Sequence, residues 1–307
     1  LKKLTKKYEK LKVISRKKDA GGGKSGALNY ALRFVKGEWL FILDADAQFK
    51  NDILLRLLHF AYRGAWSAVQ CRKSVLNTNK NLLTKCQAME MAMDAVFQLG
   101  RLSVAGVSEL RGNGQLIRKN TLIECGSFNE DTVTDDLDLS LRLLLADAEI
   151  GIFWDPPVME EAVESIPALF SQRQRWAEGG LQRFFDYGEK LFFGRFSPVR
   201  KFDLSYFFVL QYALPIISLL DIASAFYQRS IPIYWPISLT AFTLSAIASW
   251  IGSRRKHEGP ILPNANLFNM IIFLGYLSHW FIIIPWVTLK MSILPKVLYW
   301  KKTVHKG

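Results

Sequence analysis

Two carboxylates, Asp44 and Asp46, stand one residue apart at the end of an unbroken apolar run, Leu40-Phe41-Ile42-Leu43. The run reads as a strand buried on both faces of a parallel sheet. Ligands of open α/β sheets bind beyond the carboxyl ends of such strands. Two hard oxygen donors in that place suit Mg2+ or Mn2+, and through the ion a diphosphate. The same residues would also make a plain acidic turn, so the pair needs partners elsewhere in the chain.

Four stretches offer them. Asp19-Ala20-Gly21-Gly22-Gly23-Lys24-Ser25-Gly26 precedes a helix over 27–35. Glycines admit a close backbone approach, and a helix N-terminus beside Lys24 attracts an anion; a flexible turn accounts for the stretch equally well. A nucleotide-triphosphatase loop is excluded, because its first glycine would fall at Lys18. Gly112, Asn113 and Gly114 stand just ahead of a strand-like run, as a tight turn or as a backbone-lined acceptor pocket. Asp131, Asp135, Asp136 and Asp138 meet a helical pattern of Leu137, Leu141, Leu144 and Leu145. Thr134 as N-cap, with acids in the first turn, explains their place but not their number. One carboxylate held near a cleft would act as a general base. Gln172, Arg175 and Trp176 lie three and four residues apart and share one helix face. A guanidinium suits a diphosphate leaving group and an indole suits a sugar ring; a structural cation–π pair is the alternative.

Strands that position these groups are expected over 11–15, 40–43, 68–73 and 152–154, the last ended by Asp155-Pro156-Pro157. Helices are expected near 52–62, 82–99, 137–145 and 168–185. This alternation implies parallel pairing in an α/β sheet. Glu160, Glu161 and Glu164 read as a solvated face.

The chain divides into a charged part, 1–200, and a membrane part, 201–307. Apolar segments 204–226, 231–251 and 267–289 each approach the roughly 20 residues that span hydrocarbon. Asp221, Pro236, His279 and Pro285 interrupt them. Arg254-Arg255-Lys256-His257 marks a cytosolic loop. If Arg200-Lys201 is cytosolic too, three full spans leave the basic tail (Lys290, Lys296, Lys301, Lys302, Lys306) outside, unless one segment lies in the interface.

The net charge of +13 is concentrated at the start, where nine Lys/Arg accompany Glu9 in 18 residues. Leu1, Leu4, Tyr8 and Leu11 recur at helical spacing there, which predicts an amphipathic helix whose basic face suits anionic lipid. With Tyr8 as the sole aromatic of this arm, base stacking and nucleic-acid binding are not expected. Cys71, Cys86 and Cys125 are too far apart for a zinc motif or a disulfide framework, which fits a reducing, cytosol-facing compartment. With neither an initiator Met nor a signal peptide, the chain reads as a fragment lacking its true N-terminus.

In chain order, the Lys24 loop, Asp44-x-Asp46, Thr134-Asp135-Asp136 and Gln172-x-x-Arg175-Trp176, followed by membrane helices, resemble the membrane-bound family 2 inverting glycosyltransferases. The likeness is greatest to the cyanobacterial-type monoglucosyldiacylglycerol synthases. It is carried by Gly22-Gly23-Lys24-Ser25-Gly26-Ala27-Leu28-Asn29, Glu109-Leu110-Arg111-Gly112-Asn113-Gly114-Gln115 and Thr134-Asp135-Asp136-Leu137-Asp138-Leu139. Arg175-Trp176-Ala177-Glu178-Gly179-Gly180 and the ending Lys302-Thr303-Val304-His305 extend it over almost the whole chain.

The resemblance implies an A-type nucleotide-diphospho-sugar domain with a mixed, mostly parallel sheet, then C-terminal transmembrane helices, in an integral membrane protein whose domain faces the cytosol. It implies glucose transfer from UDP-glucose to diacylglycerol with Mg2+ or Mn2+ on Asp44 and Asp46. Lys24 would sit at the nucleotide, Asp136 would be the general base, and Gln172, Arg175 and Trp176 would line the acceptor and diphosphate. Gly112, Asn113, Gly114 and Asp135 would complete the substrate site. Residues holding the uracil are expected upstream of Leu1. Asp135 departs from the Glu common in polysaccharide-forming relatives. The runner-up is a processive polysaccharide synthase, against which the few membrane segments speak; a scaffold or small transporter, motivated by Asp221 and His279, is third.

Overall fold

The structure, a computed structural model, describes residues 2–17 and 20–294. Leu1, Lys18, Asp19 and the tail from 295, with Lys296, Lys301, Lys302, Lys306 and the Lys302-Thr303-Val304-His305 ending, lie outside the described residues.

One mixed sheet is built from β1 (Trp39–Ile42), β2 (Ala68–Val75), β3 (Gln115–Arg118) and β4 (Ile150–Glu160), in the order β1-β3-β2-β4. β2 and β4 are parallel, with Ala68 opposite Ile150. β3 runs antiparallel to both neighbours, Leu116 facing Phe41 and Val69. A mixed sheet is as expected, but two of its three pairings among the described residues are antiparallel. The reason lies in α4 (Leu82–Ser103) and the loop after it. Residues 104–114 carry the chain to the carboxyl end of β1, where the amide of Gly114 donates to Ile42 O at 3.1 Å, so β3 enters reversed.

Helix α3 (Ile53–Arg63) covers one face, packing Ile53, Leu57 and Ala61 on Val69, Cys71, Leu116 and Phe153. On the other face α5 (Lys119–Glu124) and α6 (Asp135–Leu145) pack Leu122, Leu139 and Leu143 on Ile42, Ala68, Ile117 and Ile150. α2 (Gly23–Leu32) adds Leu28 and Leu32 to that cluster. β1 is less enclosed than its apolar run implies: only Ile42 is buried and Trp39–Phe41 are half-buried, because β1 is an edge of the described sheet. β4 continues through Asp155-Pro156-Pro157 instead of ending there, since the prolines fall at the register shift between Cys71 and Lys73, where no ladder amide is needed. The expected strand over 11–15 does not form; α1 (Lys2–Lys7) is followed by an unpaired stretch with Leu11, Val13 and Ile14 exposed.

α7 (Ile166–Phe193) closes the α/β domain and is longer than its pattern predicts. Three helical stretches that follow are long and apolar enough to cross a membrane: Pro198–Gln228, Trp235–Arg254 and Leu267–Ile293. The first comprises α8 (Pro198–Phe208), a π-helical turn (Val209–Ala213) and α9 (Leu214–Gln228). The second is α10 (Trp235–Arg254); the third is α11 (Leu267–Leu277) and α12 (Trp280–Ile293). Asp221, an anomaly in an apolar helix, accepts from the amide of Tyr234 at 2.7 Å and so caps the α9–α10 turn.

The C-terminal half of α10 lies against α4, where Gly252 leaves room for the Ala92 backbone and the Ser249 hydroxyl donates to Met89 O at 3.4 Å. α11 packs Met270, Phe273 and Leu277 on Cys86 and Met89 of α4. α12 packs Ile283, Ile284 and Val287 on Ala177 and Leu181 of α7, and Lys290 pairs with Glu178 at 3.3 Å. The third apolar stretch thus keeps one face on the α/β domain along its length. The connection between α10 and α11 is bonded to the same domain: Glu258 meets Lys50 at 2.5 Å and Arg56 at 2.8 Å, and Arg72 donates to Glu258 O at 2.8 Å.

Candidate active site

Asp44 follows β1 directly. Its amide donates to Asn113 Oδ1 at 3.1 Å, and its Oδ1 receives Lys24 Nζ at 2.8 Å. Asp46 is exposed in the turn that follows, which is tied back by paired backbone bonds between Gln48 and Met159 at 2.9 and 2.8 Å. Lys24 reaches Asp44 because Gly21, Gly22 and Gly23 all take positive φ (67°, 66° and 52°) and start α2 with Gly22 as a cap that has no side chain. No side chain of the N-cap residue covers the first turn of α2, against which the Glu130 carboxylate packs.

The Gly112-Asn113-Gly114 turn lies alongside. Both glycines have positive φ, 85° and 77°, and a Cβ on Gly114 would run into Val158 and Cys71. Buried Gln70 secures the turn, donating to Asn113 O at 2.8 Å and accepting from the Arg111 amide at 2.6 Å. The Asp136 carboxylate stands 3.4 Å from where a Cβ on Gly112 would be, so the glycine leaves open space before that acid. Ser140 locks α6 to this loop: its hydroxyl accepts from the Leu110 amide at 2.8 Å and donates to Asp136 O at 2.7 Å. Thr134 does occupy the N-cap position of α6, but its side chain makes no cap bond. It is enclosed by α7 instead, where the absence of a side chain at Gly179 makes room for it.

Charge converges on this end of the sheet. Burial works against the Lys24 ammonium, yet Asp135, Asp44 and Asp136 outweigh it and raise its pKa. Burial pushes the Asp135 carboxyl up to about 6, with Lys24 opposing the shift and Asp136 adding to it. Arg175 is shifted down by burial, and the charges of Asp136, Asp135 and Asp44 resist that shift. Two cations, from α2 and α7, thus face carboxylates from β1 and α6. A cavity of about 250 Å3 opens beside them between Gly22–Ser25 and the 130–135 segment. Asp44 and Asp46 suit a divalent ion by donor chemistry, and an ammonium already lies on one of them. No cluster of three or more metal-binding side chains occurs among the described residues.

The helix-face alternative resolves residue by residue. Trp176 takes part in cation–π contacts with Arg173, 3.9 Å from its ring centroid, and with Lys73 at 5.7 Å, while the charges of Asp136, Asp135 and Asp44 act on Arg175. Gln172 is half-buried and its Oε1 has no partner among the described residues. Glu160, expected on a solvated face, is instead paired with Lys73 at 2.8 Å and accepts from Asn113 Nδ2 at 3.3 Å. Gln70, Lys73 and Glu160 escape the sequence reading; the one signal was polar residues in the otherwise buried strand Ala68–Val75.

Fold and site together define the class: an A-type glycosyltransferase domain continued by apolar helices. The chain belongs to the glycosyltransferase-like family 2, which matches residues 1–179. It is 39% identical over 308 residues to the beta-monoglucosyldiacylglycerol synthase of Trichormus variabilis, covering 99% of this chain and 66% of that protein. To the synthase of the same name from a Synechocystis species it is 41% identical, covering 98% and 64%. The chain thus spans just under two thirds of the length of these relatives. Among solved structures, it resembles the Pyrobaculum calidifontis mannosyltransferase PcManGT, determined with GDP-mannose and Mn2+, with a TM-score of 0.59 and 16% identity over 95% of this chain and 73% of that one.

Proposed function

We propose that the protein transfers glucose from UDP-glucose to the free hydroxyl of diacylglycerol, with inversion, to give β-monoglucosyldiacylglycerol. The observation that carries this reading is the meeting of Lys24 and Arg175 with Asp44, Asp135 and Asp136 beside an open glycine turn, in a domain packed directly on apolar helices. The names of the relatives, at about two-fifths identity over nearly the whole chain, point to the same donor sugar and lipid.

Asp136 accepts the proton of the acceptor hydroxyl as its oxygen bonds to the anomeric carbon and the bond from that carbon to the diphosphate breaks. UDP leaves from the opposite side, so an α-linked donor yields a β-glucoside. Lys24 and Arg175 neutralise the charge that builds on the departing diphosphate, the preorganised electrostatics that dominate such reactions. Trp176 and Gln172 line the acceptor side, with Gly112, Asn113 and Gly114 as its backbone wall. Asp44 and Asp46 would hold Mg2+ or Mn2+, which when bound supplies Lewis-acid stabilisation of the diphosphate.

The test is the full-length protein, with the sequence upstream of Leu1, in vesicles containing diacylglycerol, given labelled UDP-glucose and Mg2+ or Mn2+. A glucolipid is the expected product; a polymer would point to a processive synthase, and no product would overturn the reading. Asp136→Asn should lower turnover by about a thousandfold. Chelation should abolish transfer, with restoration by either ion. We infer a cytosolic α/β domain; the basic 254–257 loop, where Trp154 Nε1 donates to Lys256 O, supports this reading.

A further inference from the structure

Arg173 is fully buried, with its guanidinium against the indole of Trp176. A charge so enclosed needs compensation, and it finds it across the boundary between α/β domain and membrane part. Its Nη2 donates to Glu90 of α4 and to the Tyr276 hydroxyl of α11, the latter at 3.1 Å. The Tyr276 hydroxyl donates in turn to Glu90 Oε2 at 2.7 Å, and Trp280 Nε1 donates to Glu90 Oε1 at 3.3 Å. Glu90 is therefore shared between α7 and the third apolar stretch. Arg173 Nε and Nη1 have no partner among the described residues, so the arrangement is not the one that best satisfies a buried guanidinium. What it does secure is the plane of the guanidinium on the indole.

A second cation acts on the same ring. Lys73 lies 5.7 Å from the Trp176 centroid and is itself held by Glu160, which accepts from Asn113, whose Oδ1 accepts from the amide of Asp44. An unbroken series of contacts thus runs from Tyr276 in α11 to the end of β1, with the indole at its centre.

We propose that Arg173, Glu90 and Tyr276 are positioning residues that set the pose of Trp176, which makes α11 a component of the acceptor site. This rests on the acceptor role of Trp176 argued above. The arrangement forms only when α11 is docked on α4 and α7, so acceptor recognition is completed by the apolar helix itself.

The test uses the full chain in phosphatidylglycerol vesicles, with diacylglycerol and UDP-glucose varied separately. Arg173→Lys keeps the charge but loses the planar fork, and should raise the KM for diacylglycerol by about tenfold with an unchanged KM for UDP-glucose. Tyr276→Phe, which removes one oxygen and leaves the packing, should raise it by about threefold in the same sense. Hydrogen exchange supplies a readout that needs no turnover: amides around 172–178 should exchange faster in both variants, while those of the sheet do not change. Unchanged acceptor KM together with unchanged exchange at 172–178 would overturn the proposal, as would equal losses for both substrates with faster exchange throughout. If the unaltered protein makes no glucolipid, the functional reading fails, and the exchange pattern alone decides the positioning role.

Discussion

Asp135 and Asp136 are neighbours in sequence with different work. Asp136 stands next to Gly112, whereas Asp135 lines the cavity beside Lys24, and burial pushes its carboxyl up to about 6. Lys24 is the main influence that holds this value down, so Lys24→Met should push the Asp135 titration above 6, measured by carboxyl NMR without divalent ions. The sign for stability follows. Asp135 keeps its proton longer when folded than its ordinary value of 3.8 allows, so between about pH 3.8 and 6 the native state binds more protons than the unfolded one. In that window its contribution to stability falls as pH rises; Asp135→Asn should flatten that part of a denaturation-against-pH curve.

The acids, Lys24 and the Gln172–Trp176 face were legible because helix and strand periods put them at element ends or on one face. Lys73 and Glu160 were not, because each owes its role to a partner from another element: a register pairing brings β2 beside β4 and the Asn113 turn.

At the scale of elements, the site depends on how closely α7 approaches α6. Gly179 faces the Thr134 side chain with no room for a Cβ. Gly179→Ala should therefore displace the first turn of α6, costing about 1–3 kcal/mol in unfolding and lowering turnover more than donor affinity. The second tie is Glu109, fully buried with Arg183, Arg111 and Arg101 around it. Burial pushes its carboxyl up, but the three guanidiniums outweigh that and hold it well below its usual range. Glu109→Gln would leave the guanidiniums short of a counter-charge just ahead of Gly112, and should destabilise the fold by about 3–5 kcal/mol in chemical denaturation.

Helix positions were readable from apolar periodicity, and boundaries such as the long end of α7 less so. The direction of β3 was unreadable, because it depends on the route of the 104–114 loop and not on any pattern within the strand. Residues 11–15 have the composition of a strand, but composition supplies no neighbour to pair with.

For the whole molecule, all three apolar stretches are long enough to cross a membrane, and they differ in how they meet the α/β domain. α9 and α10 form a hairpin joined at Ser218 and Ser238 (2.8 Å), with Leu220, Phe226, Tyr227, Ile231 and Ile233 exposed around its tip. The third stretch lies along α4 and α7 over its length, α10 only at its C-terminal half, and Leu267, Phe268, Ile271, Ile282 and Trp286 are on the outer side of the third; we propose that it rests in the interface, which removes the positive-inside conflict. Cysteine labelling with a membrane-impermeant maleimide should find Ser292→Cys on the same side as Lys10→Cys, and Gln228→Cys on the opposite side. Labelling of Ser292→Cys together with Gln228→Cys would mean three spans.

The clamp at Glu258 bears on how lipids are chosen. With the 255–266 loop bonded to Lys50, Arg56 and Arg72, and Asp203 of α8 paired with Arg101, the α/β domain is tied to its hairpin at both α10 and α8. On the proposed function, these ties set the height of the candidate site relative to the apolar hairpin. A diacylglycerol acceptor would then bring its glycerol up to that site while its tails stay among the lipid. On that reading, transfer should depend on the acceptor's headgroup far more than on the length of its fatty chains.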